Sequence, residues 1–194
     1  MKMNRAFWKM AIIYSLMFCF INLNLVSAQR MVQGQKGIEV TAGVLSDGNV
    51  PKEYFISIGF TIHAKAGNYN LISFEHNHQV FSYKNREIPL ESYFLEGGYS
   101  FRLIDIMKGF INVNIMPSLV VGYEQINKGN KELNDGAVII SKDSFLYGGG
   151  GTLSVETYFS DKIIFLLKGK VKVVIGSDLE VLRPGVGVGF RFNL

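Results

Sequence analysis

Beyond residue 28 the chain alternates apolar and polar side chains with period two, and it is still alternating at its last residue. Such a pattern builds strands with two unlike faces. Over 111–124, Ile111, Val113, Ile115, Leu119, Val121 and Tyr123 share one face, and Asn112, Asn114, Ser118 and Glu124 the other. Farther on, Ile163, Phe165, Leu167, Val171 and Val173 oppose Lys168, Lys170 and Lys172. At the end, Val186, Val188, Phe190, Phe192 and Leu194 alternate with Gly185, Gly187, Gly189 and Arg191. The periodicity predicts eight strands, near 36–45, 53–64, 68–81, 89–102, 109–124, 144–158, 161–175 and 183–194.

The segment before the alternation is of another kind. Lys2, Arg5 and Lys9 precede an apolar stretch over 10–21, and Val26-Ser27-Ala28 meets the small-residue rule for cleavage. Residues 1–28 therefore read as a cleavable signal peptide, with Gln29 as the new N-terminus and 29–194 as one domain. The lone Cys19 lies inside the apolar stretch behind bulky Phe18, a poor context for lipid attachment. The formal charge of +4 comes mostly from the leader, whose three cations face no acidic residue. One excess positive charge is left on the mature chain, so its charge gives no reason to expect direct nucleic-acid binding. With no cysteine after the leader, disulfide and thiol chemistry are excluded.

A soluble sandwich would alternate in the same way. Export, a glycine-rich polar face and an aromatic last strand favour an eight-stranded antiparallel transmembrane β-barrel of outer-membrane type. Only helices and closed barrels span bilayers, and no apolar run after the leader is long enough for a spanning helix. Connections near 65–67, 103–108 and 159–160 are short, whereas the longest runs over 125–143. Short periplasmic turns and longer outer loops fit this asymmetry, in the outer membrane of a Gram-negative bacterium. The expected surroundings are outer-membrane lipid.

The predicted register turns Glu39, Glu75, Glu96, Glu124 and Glu156 inward, with Arg102, Lys168, Lys170, Lys172 and Arg191. Eight strands enclose a lumen just wide enough for side chains. Charges there must pair, because an unpaired buried charge is very costly. A plug of lumen ion pairs is the expected reading, ahead of an ion path.

Motifs with catalytic or ligand-binding chemistry are weak. Gly148-Gly149-Gly150-Gly151 lacks the Lys-Ser/Thr pair and following helix of a phosphate loop. A glycine run within a strand fits a bend or room for large lumen side chains. His76 and His78 share a strand face and, with His63, are a thin basis for a metal site. Ser82 or Ser144 beside these histidines would be needed for a lipid-modifying barrel enzyme, and no nucleophile motif surrounds either serine. No catalytic residue, cofactor or metal is assigned.

A series of short stretches resembles the conjugative transposon protein TraO family of Bacteroidetes. It begins with Ala28-Gln29-Arg30, Gly34 and Lys36-Gly37-Ile38-Glu39, and continues through Ile88-Pro89 and Glu96-Gly97-Gly98-Tyr99. Gly122-Tyr123-Glu124 and Asn127-Lys128-Gly129 follow. The most specific part is Leu133-Asn134-Asp135-Gly136-Ala137 with Asp143-Ser144-Phe145-Leu146-Tyr147-Gly148-Gly149, and Glu156-Thr157-Tyr158-Phe159-Ser160-Asp161-Lys162 closes the series. The resemblance implies a non-enzymatic component of a conjugative DNA-transfer apparatus, with other conjugation proteins as partners. A generic small barrel with an adhesive or envelope-stabilising role is the alternative. Partner contact is expected in the longest loop, at Lys131, Glu132, Leu133, Asn134, Asp135, Gly136 and Ala137.

Overall fold

The structure is a computed structural model that describes residues 32–45, 53–83, 86–107, 109–130, 139, 143–178 and 180–194. The leader over 1–28 and the loop residues 131–137 lie outside the described residues. The eight strands are β1 (Lys36–Leu45), β2 (Tyr54–His63), β3 (Tyr69–Tyr83), β4 (Arg86–Ile106), β5 (Ile111–Ile126), β6 (Ser144–Tyr158), β7 (Ile163–Ile175) and β8 (Leu182–Asn193). Each pairs antiparallel with its neighbours in sequence, and β8 closes on β1, with Glu39 beside Arg191 and Val40 beside Phe190. Closure leaves no strand edge along the wall, the condition a sheet must meet to lie in hydrocarbon. No described helix is long and apolar enough to cross a membrane.

The two faces follow the alternation. Ile38, Val40, Ile56, Ile58, Phe74, Leu95, Ile115, Val121, Leu167, Val188 and Phe190 are exposed on the outer wall, while Glu39, Glu75, Asn112, Asn114, Lys168 and Arg191 are buried inside. Apolar-out and polar-in is the reverse of a soluble sandwich. Apolar clusters share the lumen with these polar side chains. Phe94, Val120, Leu146 and Val174 form one, and Tyr69, Leu71 and Met116 another.

Bulky lumen groups need room, and glycine provides it. The Phe55 ring lies against Gly43 and Gly187, where an added Cβ would come within 2.6 Å of ring carbons. In the four-glycine run, only Gly150 accommodates a lumen side chain in the expected sense, with Ser118 Oγ 2.9 Å from its would-be Cβ. Gly148 instead abuts the Val173 carbonyl, and Gly151 has nothing nearby.

β4 departs most from the prediction. It spans 21 residues rather than stopping near 102. A register shift between Arg102 and Ile104 is followed by resumed pairing, down to Ile106 opposite Ile111. A β-bulge adds one residue to one strand and breaks the period there. Residues 103–106 therefore lose their strand signal although they belong to β4.

Candidate functional site

The inner wall carries the chemistry of this molecule, arranged as three tiers of ion pairs along the lumen. Nearest the short turns, the Arg191 guanidinium donates to Glu39 Oε2 at 2.9 Å and to Glu156 Oε2 at 3.0 Å. Lys168 completes the tier against Glu39. Tyr69 donates its hydroxyl to Glu156 at 2.6 Å and Tyr158 does so at 3.0 Å, and the Tyr69 ring lies 4.0 Å from the guanidinium carbon.

In the middle, Lys170 and Lys172 donate to the two oxygens of Glu75 at 2.5 and 2.6 Å. Lys172 also lies 3.2 Å from Glu96, which accepts the Ser118 hydroxyl at 2.7 Å. Nearest the longer loops, Arg183 pairs with Glu124 and donates to Ser92 at 2.9 Å. Ser177 donates to the second Glu124 oxygen at 2.8 Å. Each tier is neutral: two carboxylates face two cations, then two face two, then one faces one.

Strand geometry produces this ladder. Lys168, Lys170 and Lys172 are two apart on β7, so all three point inward. Arg191 lies directly beside Glu39 across the β1–β8 closure. A cavity of about 20 Å³, with Glu39, Thr41, Glu75 and Lys168 in its wall, separates the lower and middle tiers. That volume suits a single water.

Nine of the ten residues expected as lumen charges meet in these tiers. Arg102 does not. It is half-buried at the short-turn end and pairs at 3.3 Å with the exposed Asp105. It keeps inward parity, opposite Asn114, but stands beyond the lowest tier with its guanidinium over Gly67 of the short turn. Arg183 joins the lumen in its place. Its sequence signal was parity: it stands eight residues before Arg191 on the same strand, hence on the same face.

His63 faces inward near the short turns, beside Asn193. His76 and His78 face outward near the opposite end, where they contact the two oxygens of Glu91 at 2.5 and 2.6 Å, stacked against Tyr93 and Tyr54. The three histidines therefore do not converge, and no group of three His, Cys, Asp or Glu among the described residues is arranged to hold a metal ion. Ser144 lies inside, opposite Glu124, so it cannot pair with the outward histidines. The Ser82 side chain lies outside the described ones.

Solved structures share this architecture. Neisserial surface protein A (NspA) matches with a TM-score of 0.56 at 12% identity, over 83% of this chain and 97% of its own. Ail, the attachment invasion locus protein of Yersinia pestis, matches at 0.54 and 10% identity, over 84% and 100%. The N-terminal β-barrel domain of OprF from Pseudomonas aeruginosa matches at 0.53 and 13%, over 84% and 98%. At such identities the likeness is one of fold. No curated protein matches the chain in sequence. The family model of the conjugative transposon protein TraO does match, over residues 32–194. That span takes in all eight strands, and the chain belongs to the TraO family.

Proposed function

We propose that this protein is a non-enzymatic outer-membrane component of a conjugative DNA-transfer apparatus, one that anchors or stabilises the envelope-spanning assembly. The observation that carries the reading is the family match through every strand of the barrel. The apolar outer wall supports outer-membrane lipid as its surroundings, and the leader over 1–28 would direct export before its removal. The charge-balanced tiers across the narrow lumen support a scaffold rather than a conduit.

Partners are other transfer proteins, reached through the segment 131–137 between β5 and β6. A loop longer than a hairpin requires is a place where function concentrates on a rigid scaffold. The test is deletion of the gene in a donor strain. Transfer frequency should fall sharply and return with the intact gene supplied in trans. Undiminished transfer by the deletion strain would refute the role.

A further inference from the structure

Eleven buried side-chain atoms of the described residues have no hydrogen-bond partner, and most fall into two groups at opposite ends of the lumen. Toward the short turns are Thr61 Oγ1, His63 Nδ1, Ser100 Oγ, Asn112 Oδ1 and both polar atoms of the Asn114 amide. This group is uncharged apart from what the imidazole can carry, and it mixes donors with acceptors. Water, which both donates and accepts, satisfies such a set.

The group toward the longer loops differs. It holds the Ser144 hydroxyl on β6 and, on neighbouring positions at the start of β2 and in β3, three acceptors: Glu53 Oε2, Asn77 Oδ1 and Gln79 Oε1. Their residues are 4%, 1% and 3% exposed. Tyr54 lies opposite His78 and Phe55 opposite Asn77, and continuing this register by one residue brings Glu53, just before β2, beside Gln79. Facing pairs of this kind have Cβ atoms about 5 Å apart. Asn77 and Gln79 are about 7 Å apart along β3, pointing the same way. The three oxygens thus belong to neighbouring inward side chains at the loop-side mouth of the lumen.

Charge separates the possible occupants. Each of the five other lumen carboxylates meets a cation, whereas Glu53 makes no ion pair among the described residues. Of the described lumen cations, Arg183 at this end is bonded to Ser92 opposite Asn77, and its charge is already met by Glu124. Water can donate to the three acceptors, but it brings no positive charge for the carboxylate. A hard cation serves all three oxygens and neutralises the carboxylate. Carboxylate and amide carbonyl oxygens are ligands of calcium, whose flexible coordination tolerates such a mixed set.

We propose that Glu53, Asn77 and Gln79 bind a hard divalent cation, calcium best of all, at the outer mouth of the barrel. The bound ion would tie the start of β2 to the rising arm of β3. The proposal is independent of any role in DNA transfer.

The test uses the full mature chain, purified in detergent and stripped with EDTA. Titration with calcium chloride should show one saturable site per chain, with Kd in the range of about 10⁻⁴–10⁻³ M seen for extracellular sites. Saturation should raise the unfolding temperature. Glu53→Gln should assemble, bind at least about tenfold more weakly and lose the calcium-dependent rise. Asn77→Asp should bind more tightly than wild type and unfold at a lower temperature in EDTA, where two carboxylates repel. If Glu53→Gln fails to assemble, Gln79→Met reads the same loss. Absence of saturable binding to wild type overturns the proposal. So does equal binding by wild type and variants, which marks an adventitious ion only.

Discussion

Arg191 is buried between Glu39 and Glu156, and three of its nitrogens donate to them. Removing it leaves two carboxylates to share Lys168, and an uncompensated buried charge costs about 3–5 kcal/mol. Arg191→Leu should therefore lower the unfolding temperature strongly. Arg102→Leu should cost less than about 1 kcal/mol, because its partner Asp105 is open to solvent. Thermal unfolding of both variants in the same detergent checks the contrast, and equal losses would refute the tiered lumen. Parity alone told which side of the wall each charge faces, and it served well for Lys168, Lys170, Lys172 and Arg191. It placed Arg102 on the inward side as well, opposite Asn114, but parity does not tell how far along the barrel a charge lies, and Arg102 stands beyond the last tier. The pairing of particular charges, such as Arg183 with Glu124, was not legible either. It depends on how strands far apart in sequence meet across the lumen.

At the scale of elements, strand count, order and faces were readable because each strand carries its own alternation. Where a strand ends was less so. The predicted β3 and β4 fell short of the hairpin in which Tyr83 opposes Arg86, since pairing beyond the apolar band needs no apolar face. β5 and β6 rise together in the same way, with Glu124 opposite Ser144. Between them in sequence stand Lys131, Glu132, Leu133, Asn134, Asp135, Gly136 and Ala137, outside the described residues. Replacing 131–137 with a short Gly/Ser linker should leave a folded barrel, because long loops add little to closure entropy. It should nonetheless reduce conjugative transfer sharply. Normal transfer by a correctly assembled variant would remove this loop as the partner contact, and failure to assemble would assign it a structural role instead.

For the molecule as a whole, the decisive contrast is between the two faces of one closed sheet. The outer wall exposes Val, Ile, Leu and Phe, and the lumen carries a ladder of charge-balanced ion-pair tiers. From the first property follows recovery with outer membranes, with a processed N-terminus at Gln29 and an electrophoretic mobility that changes on boiling. Recovery as a soluble periplasmic protein would contradict the membrane reading. From the second follows electrical behaviour. An ion crossing the lumen would have to pass Arg191 held by Glu39 and Glu156, then Lys170 and Lys172 held by Glu75, then Arg183 held by Glu124. Opening any tier separates buried partners and leaves each exposed to the several kcal/mol desolvation cost that the pairing offsets. An eight-stranded wall has no slack to let ions pass beside the pairs. Purified protein in planar bilayers should therefore show no steady porin-sized current. Arg191→Leu and Lys172→Met, which each remove one cation from the ladder, are the variants in which leak conductance should first appear. A stable large current through the wild-type barrel would show that the ladder yields, and the lumen would then have to be read as a conduit.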